Sequence, residues 1–149
     1  MTKRGTILLI EDNEDDVLLI KKAFADAQVA APITVVRSSK EAVRYFSGTG
    51  RFADRAAHPV PFLVLLDLKL SDEDGFALLR WLFERPGLKK QFTLLTLSSE
   101  SPPHEVQLAY ELGAQSFLLK PLHYEGLVAL ARGVKEYWID LNCLPADVA

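Results

Sequence analysis

At 149 residues and 49% hydrophobic, the chain is long enough for one domain with a full core and leaves no room for a second of comparable size. Its net charge of −3 is spread along the chain, with no basic stripe of the kind that tracks a nucleic-acid backbone. The lone Cys143 excludes an internal disulfide, and no apolar run reaches signal-peptide or membrane-span length, so the expectation is a cytoplasmic protein without membrane or direct nucleic-acid contact.

Apolar runs and helical patterns then alternate. A strand over residues 6–10 ends in Glu11-Asp12, and a helix over 14–27 buries Val17, Ile20 and Phe24 while Lys21, Lys22 and Asp26 face out. A strand at 33–36 and a helix at 39–46 lead into a Gly- and Pro-punctuated connection, 48–61. The strand at 62–66 ends in Asp67; Asp72, Glu73 and Asp74 read as a solvated loop, with Asp74 as N-cap of a helix at 75–83. The fourth strand, 92–97, ends near Ser98-Ser99, and Ser101-Pro102-Pro103 opens a helix at 103–112. The fifth, 116–119, ends in Lys120-Pro121, and a helix at 124–139 runs into a short tail.

The strands are nearly continuous hydrophobes, as expected where helices cover both sheet faces. Five β–α units predict an α/β fold: a flavodoxin-like (βα)5, doubly wound, five-stranded parallel sheet of order 2-1-3-4-5. Ligands of such sheets bind beyond the carboxyl ends of the strands, where strand order reverses, here between strands one and three. That edge collects Glu11, Asp12 and Asp67, with a hydroxyl from strand four and Lys120 from strand five. Adjacent carboxylates do not all ionise comfortably without a cation, and oxygen-only ligands favour a hard ion such as Mg²⁺. The inventory suits phosphoryl transfer to a carboxylate, with Asp67 as nucleophile and Lys120 and Ser98 on the phosphoryl oxygens.

Four stretches in register, Ile-Leu-Leu-Ile-Glu-Asp-Asn, Leu-Leu-Asp-Leu-Lys-Leu…Asp-Gly, the serine after strand four and Phe-Leu-Leu-Lys-Pro, resemble the receiver domain of two-component response regulators. The resemblance covers residues 5–139; residues 1–139 are read as the receiver and 140–149 as a tail with no effector domain. It implies Asp12 and Asp67 as direct Mg²⁺ ligands, Glu11 as a partner through water and Lys69 as a ligand through its backbone carbonyl. It also implies Asp67 as phosphoacceptor, Lys120 as phosphate-binding cation, Ser98 as switch hydroxyl and Phe117 as aromatic switch. The family spacing from the lysine favours Ser98 over Thr96 and Ser99, and family habit makes Lys120–Pro121 a candidate cis bond. The long connection and the aromatic end of the last helix resemble stand-alone regulators paired with bacterial phytochromes. The implied partner is therefore a sensor histidine kinase, with a phytochrome as the narrower reading.

Blander readings stand beside these. Glu14, Asp15 and Asp16 complement the helix dipole; the Lys69 side chain is exposed; Phe117 is a core residue; His58, His104 and His123 lie on the surface. Tyr137, Trp138, Ile139, Leu141 and Leu144 form either a helix end folded on the core or a partner surface. Gly126 and Gly133, seven apart on one helix face, permit close approach of another element. Homodimerisation through the fourth and fifth predicted helices and the tail follows as an expectation. A dehalogenase-type phosphatase would need an acid where Lys69 stands, and a dinucleotide-binding protein would need a Gly-rich loop where Glu-Asp-Asn-Glu stands. A pseudo-receiver would not need the acid pair, Asp67, Ser98 and Lys120 together.

Overall fold

The computed structural model describes residues 5–72 and 74–148. Glu73 and the first four residues, on which parts of the loop and leader readings fell, lie outside the described residues. Strands β1 (Ile7–Ile10), β2 (Ile33–Val36), β3 (Leu63–Asp67), β4 (Thr93–Ser98) and β5 (Ser116–Leu119) form one parallel sheet in the expected order, β2-β1-β3-β4-β5. The helices are α1 (Glu14–Asp26), α2 (Ser39–Ser47), α3 (Gly75–Phe83), a single turn α4 (Pro86–Lys89), α5 (Pro103–Glu111) and α6 (Tyr124–Gly133).

Every residue of β1 and β3 is buried, and strand alternation sends their side chains into two cores. Leu8, Ile10, Val64, Leu66 and Leu94 pack with α2, α3 and Ala109 of α5. Ile7, Leu9, Leu63, Leu65, Leu95 and Leu97 pack with Val17, Ile20 and Phe24 of α1 and Val128 and Ala131 of α6. Asp67 continues the second set, so its carboxylate emerges on the α1 and α6 side of the sheet, within reach of Lys120. Two local devices fix the edge. Asn13 caps α1 by accepting from the Asp16 N–H at 2.9 Å. Gly75 opens α3 so close to β3 that a Cβ would lie 2.9 Å from the Asp67 carbonyl oxygen and the Leu68 Cα.

Several expectations need correction. The connection after α2 is packed: Gly48 ends α2 at φ +67°, a turn of 3-10 helix spans Gly50–Phe52, and buried Phe52 meets Tyr45 and His58 edge to face. His58 is therefore a packing residue, not a surface one. Tyr45 donates to the Pro59 carbonyl at 2.7 Å, and Arg55 donates to those of Tyr45 and Phe52 at 2.7 and 3.2 Å. The last predicted helix changes pitch at Gly133 and continues as a π-helix, Val134–Leu141. The tail then folds back: Leu144 is buried, Trp138 and Ile139 lean on the same core, and Tyr137 and Leu141 stay exposed. The close approach at Gly126 is internal, because a Cβ there would meet Pro121 at 2.7 Å, whereas Gly133 faces open space. No cis peptide bond occurs among the described residues, so Lys120–Pro121 is trans, the lower-energy isomer for most X–Pro bonds.

Candidate functional site

Ile10 pairs with Leu66 across β1 and β3, so one step further Glu11 stands beside Asp67. Carboxylate oxygens of Glu11, Asp12 and Asp67 can lie within 4.8 Å of one another. Glu11 and Asp67 are buried. Burial, followed by its hydrogen bond to Asp67, pushes the Glu11 carboxyl up to about 7, against the opposing pull of Lys120. Three acids crowded in this way, one reluctant to ionise, are a donor set that fits a hard divalent cation.

Lys120 reaches in from the end of β5. Its Nζ donates to Glu11 Oε1 at 2.8 Å, Asp67 Oδ2 at 3.0 Å and Asp16 Oδ2 at 3.1 Å. Burial alone would lower its pKa, but the hydrogen bond to Glu11 and the charge of Asp67 raise it, so the ammonium is held. The other Asp67 oxygen, Oδ1, accepts from the Lys69 N–H at 2.9 Å. Asp12 is oriented differently: its Oδ2 accepts from the Ser71 N–H at 2.8 Å and also from the Ser71 hydroxyl.

Glu11, Asp12, Asp67 and Lys120 thus converge on an open cleft of about 380 Å³, together with Asn13, Asp16, Lys69, Ser71 and Ser99. Ser98 is fully buried at the tip of β4, where its Oγ accepts from the Glu100 N–H at 3.3 Å; Ser99, not Ser98, lines the cleft. Thr96 is committed elsewhere, donating to the Ser116 carbonyl at 3.1 Å. Phe117 lies half-buried against the same core as Leu108 and Leu112, and its N–H donates to Tyr110 Oη at 3.3 Å.

Three side-chain pairings escaped the sequence reading. Asp16 is not merely a dipole residue: from the first turn of α1 it accepts from Lys120 Nζ at 3.1 Å. The Lys69 side chain is not idle but pairs with both carboxylate oxygens of Glu105 on α5 at 3.1 Å. Asp72 is no free loop acid, since it accepts from the N–H groups of Ser39 and Lys40 at the start of α2, at 3.3 and 3.4 Å. Asp74 takes the N-cap position of α3 as expected, though without a side-chain capping bond. Lys69–Glu105 and Asp72–α2 join residues more than thirty positions apart and had no local signature.

Comparison with known proteins places this geometry. The family description "Response regulator receiver domain" matches residues 7–132. A curated relative, the probable methanogenesis regulatory protein FilR2 of Methanothrix harundinacea, is 31% identical over 93% of this chain and 86% of its own length. Among solved structures, the response regulator RPA3017 in red light signaling of R. palustris superposes with a TM-score of 0.88 at 30% identity, covering 95% of this chain and 98% of that one. The phosphorylated cyanobacterial phytochrome response regulator RcpA gives 0.86 at 30% identity, with 96% and 99% covered. The Mn²⁺-bound response regulator Rcp1, from Synechocystis sp., gives 0.82 at 26% identity, with 94% and 98% covered.

Proposed function

The chain belongs to the response regulator receiver family, and from that premise we propose that it accepts a phosphoryl group on Asp67 from a sensor histidine kinase. The observation that carries this is Asp67 itself: a buried carboxylate at a strand tip, one oxygen fixed by the Lys69 N–H and the other by Lys120. Receiver domains are signalling proteins of two-component systems rather than metabolic enzymes. Phytochrome response regulators are among this chain's relatives, which supports a phytochrome as the kinase.

An Asp67 carboxylate oxygen attacks the phosphorus of a phosphohistidine; the P–O bond forms as the P–N bond breaks, and the imidazole leaves. Lys120 provides the cationic side of the pocket and is already seated on the nucleophile. Asp12, Asp67 and the Lys69 carbonyl, with Glu11 through water, would hold a Mg²⁺, which would supply charge neutralisation for the transferred group. The Glu11–Asp12–Asp67 cluster and a Mn²⁺-bound relative support a divalent cation at this cleft. Ser98 then hydrogen-bonds a phosphoryl oxygen, and Phe117 turns in the space beneath α5.

The output is a change in protein contacts. Exposed Tyr110, Leu119, Tyr137 and Leu141 on the α5, β5 and α6 side favour a homodimer through those helices and the tail, with residues 1–139 as the signalling unit and no direct nucleic-acid contact. No helix of the described residues is long and apolar enough to cross a membrane. Intact-mass analysis with acetyl phosphate tests the core of the proposal. Wild type gains one phosphoryl group only with Mg²⁺, and Asp67→Asn gains none. An adduct that persists in Asp67→Asn, or a wild type that stays unlabelled, refutes it.

A further inference from the structure

Lys120 spends all three of its N–H donors on carboxylates, Glu11, Asp67 and Asp16. A phosphoryl oxygen arriving at Asp67 therefore finds no donor free on the ammonium seated beside it. The three partners are not equivalent. The side chains of Glu11 and Asp67 are 1% and 6% exposed, whereas that of Asp16 is 41% exposed. Water can replace what Asp16 loses and cannot reach the other two to the same degree, so the Asp16 bond is the least costly to break.

We propose that Asp16 is the exchangeable partner of Lys120: it parks the ammonium in the resting protein and competes with the phosphoryl group for it. This rests on Asp67 being the phosphoacceptor. Asp16 is a positioning residue acting through Lys120, and the cap at Asn13 keeps it in reach by fixing the first turn of α1. It borders both the cleft over Asp67 and the adjoining apolar groove between α1 and α6, so its far side is open to solvent and the exchange needs no movement of the core.

The test is an equilibrium titration with beryllofluoride in the presence of Mg²⁺, followed by ¹⁹F NMR, alongside labelling rates with acetyl phosphate. Asp16→Asn and Asp16→Ala bind beryllofluoride about three- to fivefold more tightly than wild type, the range set by loss of one partly exposed ion pair. The same variants lower the acetyl phosphate KM and leave the saturated rate unchanged, while Asp16→Glu behaves like wild type. Asp15→Asn, one position away and outside the Lys120 network, separates competition from a general field effect and stays within a factor of two of wild type. Equal tightening in Asp15→Asn and Asp16→Asn overturns the proposal, and so does weaker binding in Asp16→Asn, which would make Asp16 a support for Lys120. A wild type that takes neither beryllofluoride nor phosphoryl group overturns the phosphoacceptor reading and this inference together, a pattern distinct from either failure above.

Discussion

The amino edge of the sheet closes by packing: Tyr45, Phe52 and His58 meet edge to face, Phe46 stacks on Phe92 at 5.2 Å between centroids, and Leu144 of the tail is buried. At the carboxyl edge the decisive contacts are polar. Lys120 gathers three acids, Ser71 holds Asp12, and Lys69 reaches Glu105. One edge removes apolar surface from water and stabilises the fold. The other confines like charges in a half-buried place, which opposes folding unless something positive arrives. The stability of this protein and its chemistry are thus lodged at opposite poles of one sheet.

Truncating the packed edge should have the largest effect on stability. Phe52→Ala costs about 3–5 kcal/mol of unfolding free energy, read by urea denaturation, without changing phosphoryl labelling of the folded fraction. A loss below about 1 kcal/mol would break the contrast. At the polar edge the sign reverses. Glu11 titrates at about 7 in the fold against 4.5 as the ordinary value, so the folded state binds this proton more tightly. Metal-free stability therefore falls as pH rises from about 4.5 through 7, by up to roughly 3 kcal/mol. Glu11→Gln flattens that slope, and Mg²⁺ raises Tm more at pH 7.5 than at 5.5; a slope that survives Glu11→Gln sinks the assignment.

Smaller effects sharpen the comparison. Ser71→Ala removes one donor from Asp12 and shifts stability by about 1 kcal/mol, with a measurable change in Mg²⁺ affinity by calorimetry that Phe52→Ala does not share. Lys69→Ala breaks a pair whose lysine is largely exposed and costs no more than about 1 kcal/mol. A larger loss in that variant would place part of the structural burden at the functional edge.

The sheet order, the covering of both its faces and the strand-tip positions of Asp67, Glu11, Asp12 and Lys120 were legible in the sequence, because unbroken apolar runs and helical stripes encode them locally. The strand β3 takes in Asp67, one residue beyond the apolar run. What was not legible depends on proximity in space. Asp16 meets Lys120 across 104 positions and Asp72 meets Ser39 across 33, and neither pairing leaves a mark in periodicity. The short helix Pro86–Lys89 and the change to π-helical pitch after Gly133 were missed for another reason: one is a single turn, and the other keeps the apolar spacing of the helix it continues.

The buried Leu144 has a practical side. Next to it is Cys143, the chain's single cysteine, exposed at the pole opposite Asp67. Asn142 ties that stretch to Thr93 at the foot of β4. A maleimide dye would therefore attach at one defined place without engineering and without entering the acidic cleft. It would sit beside the end of α6, on the face through which we propose a second copy docks. Fluorescence from a single natural thiol could then follow assembly while mass spectrometry follows Asp67, each blind to the other's event.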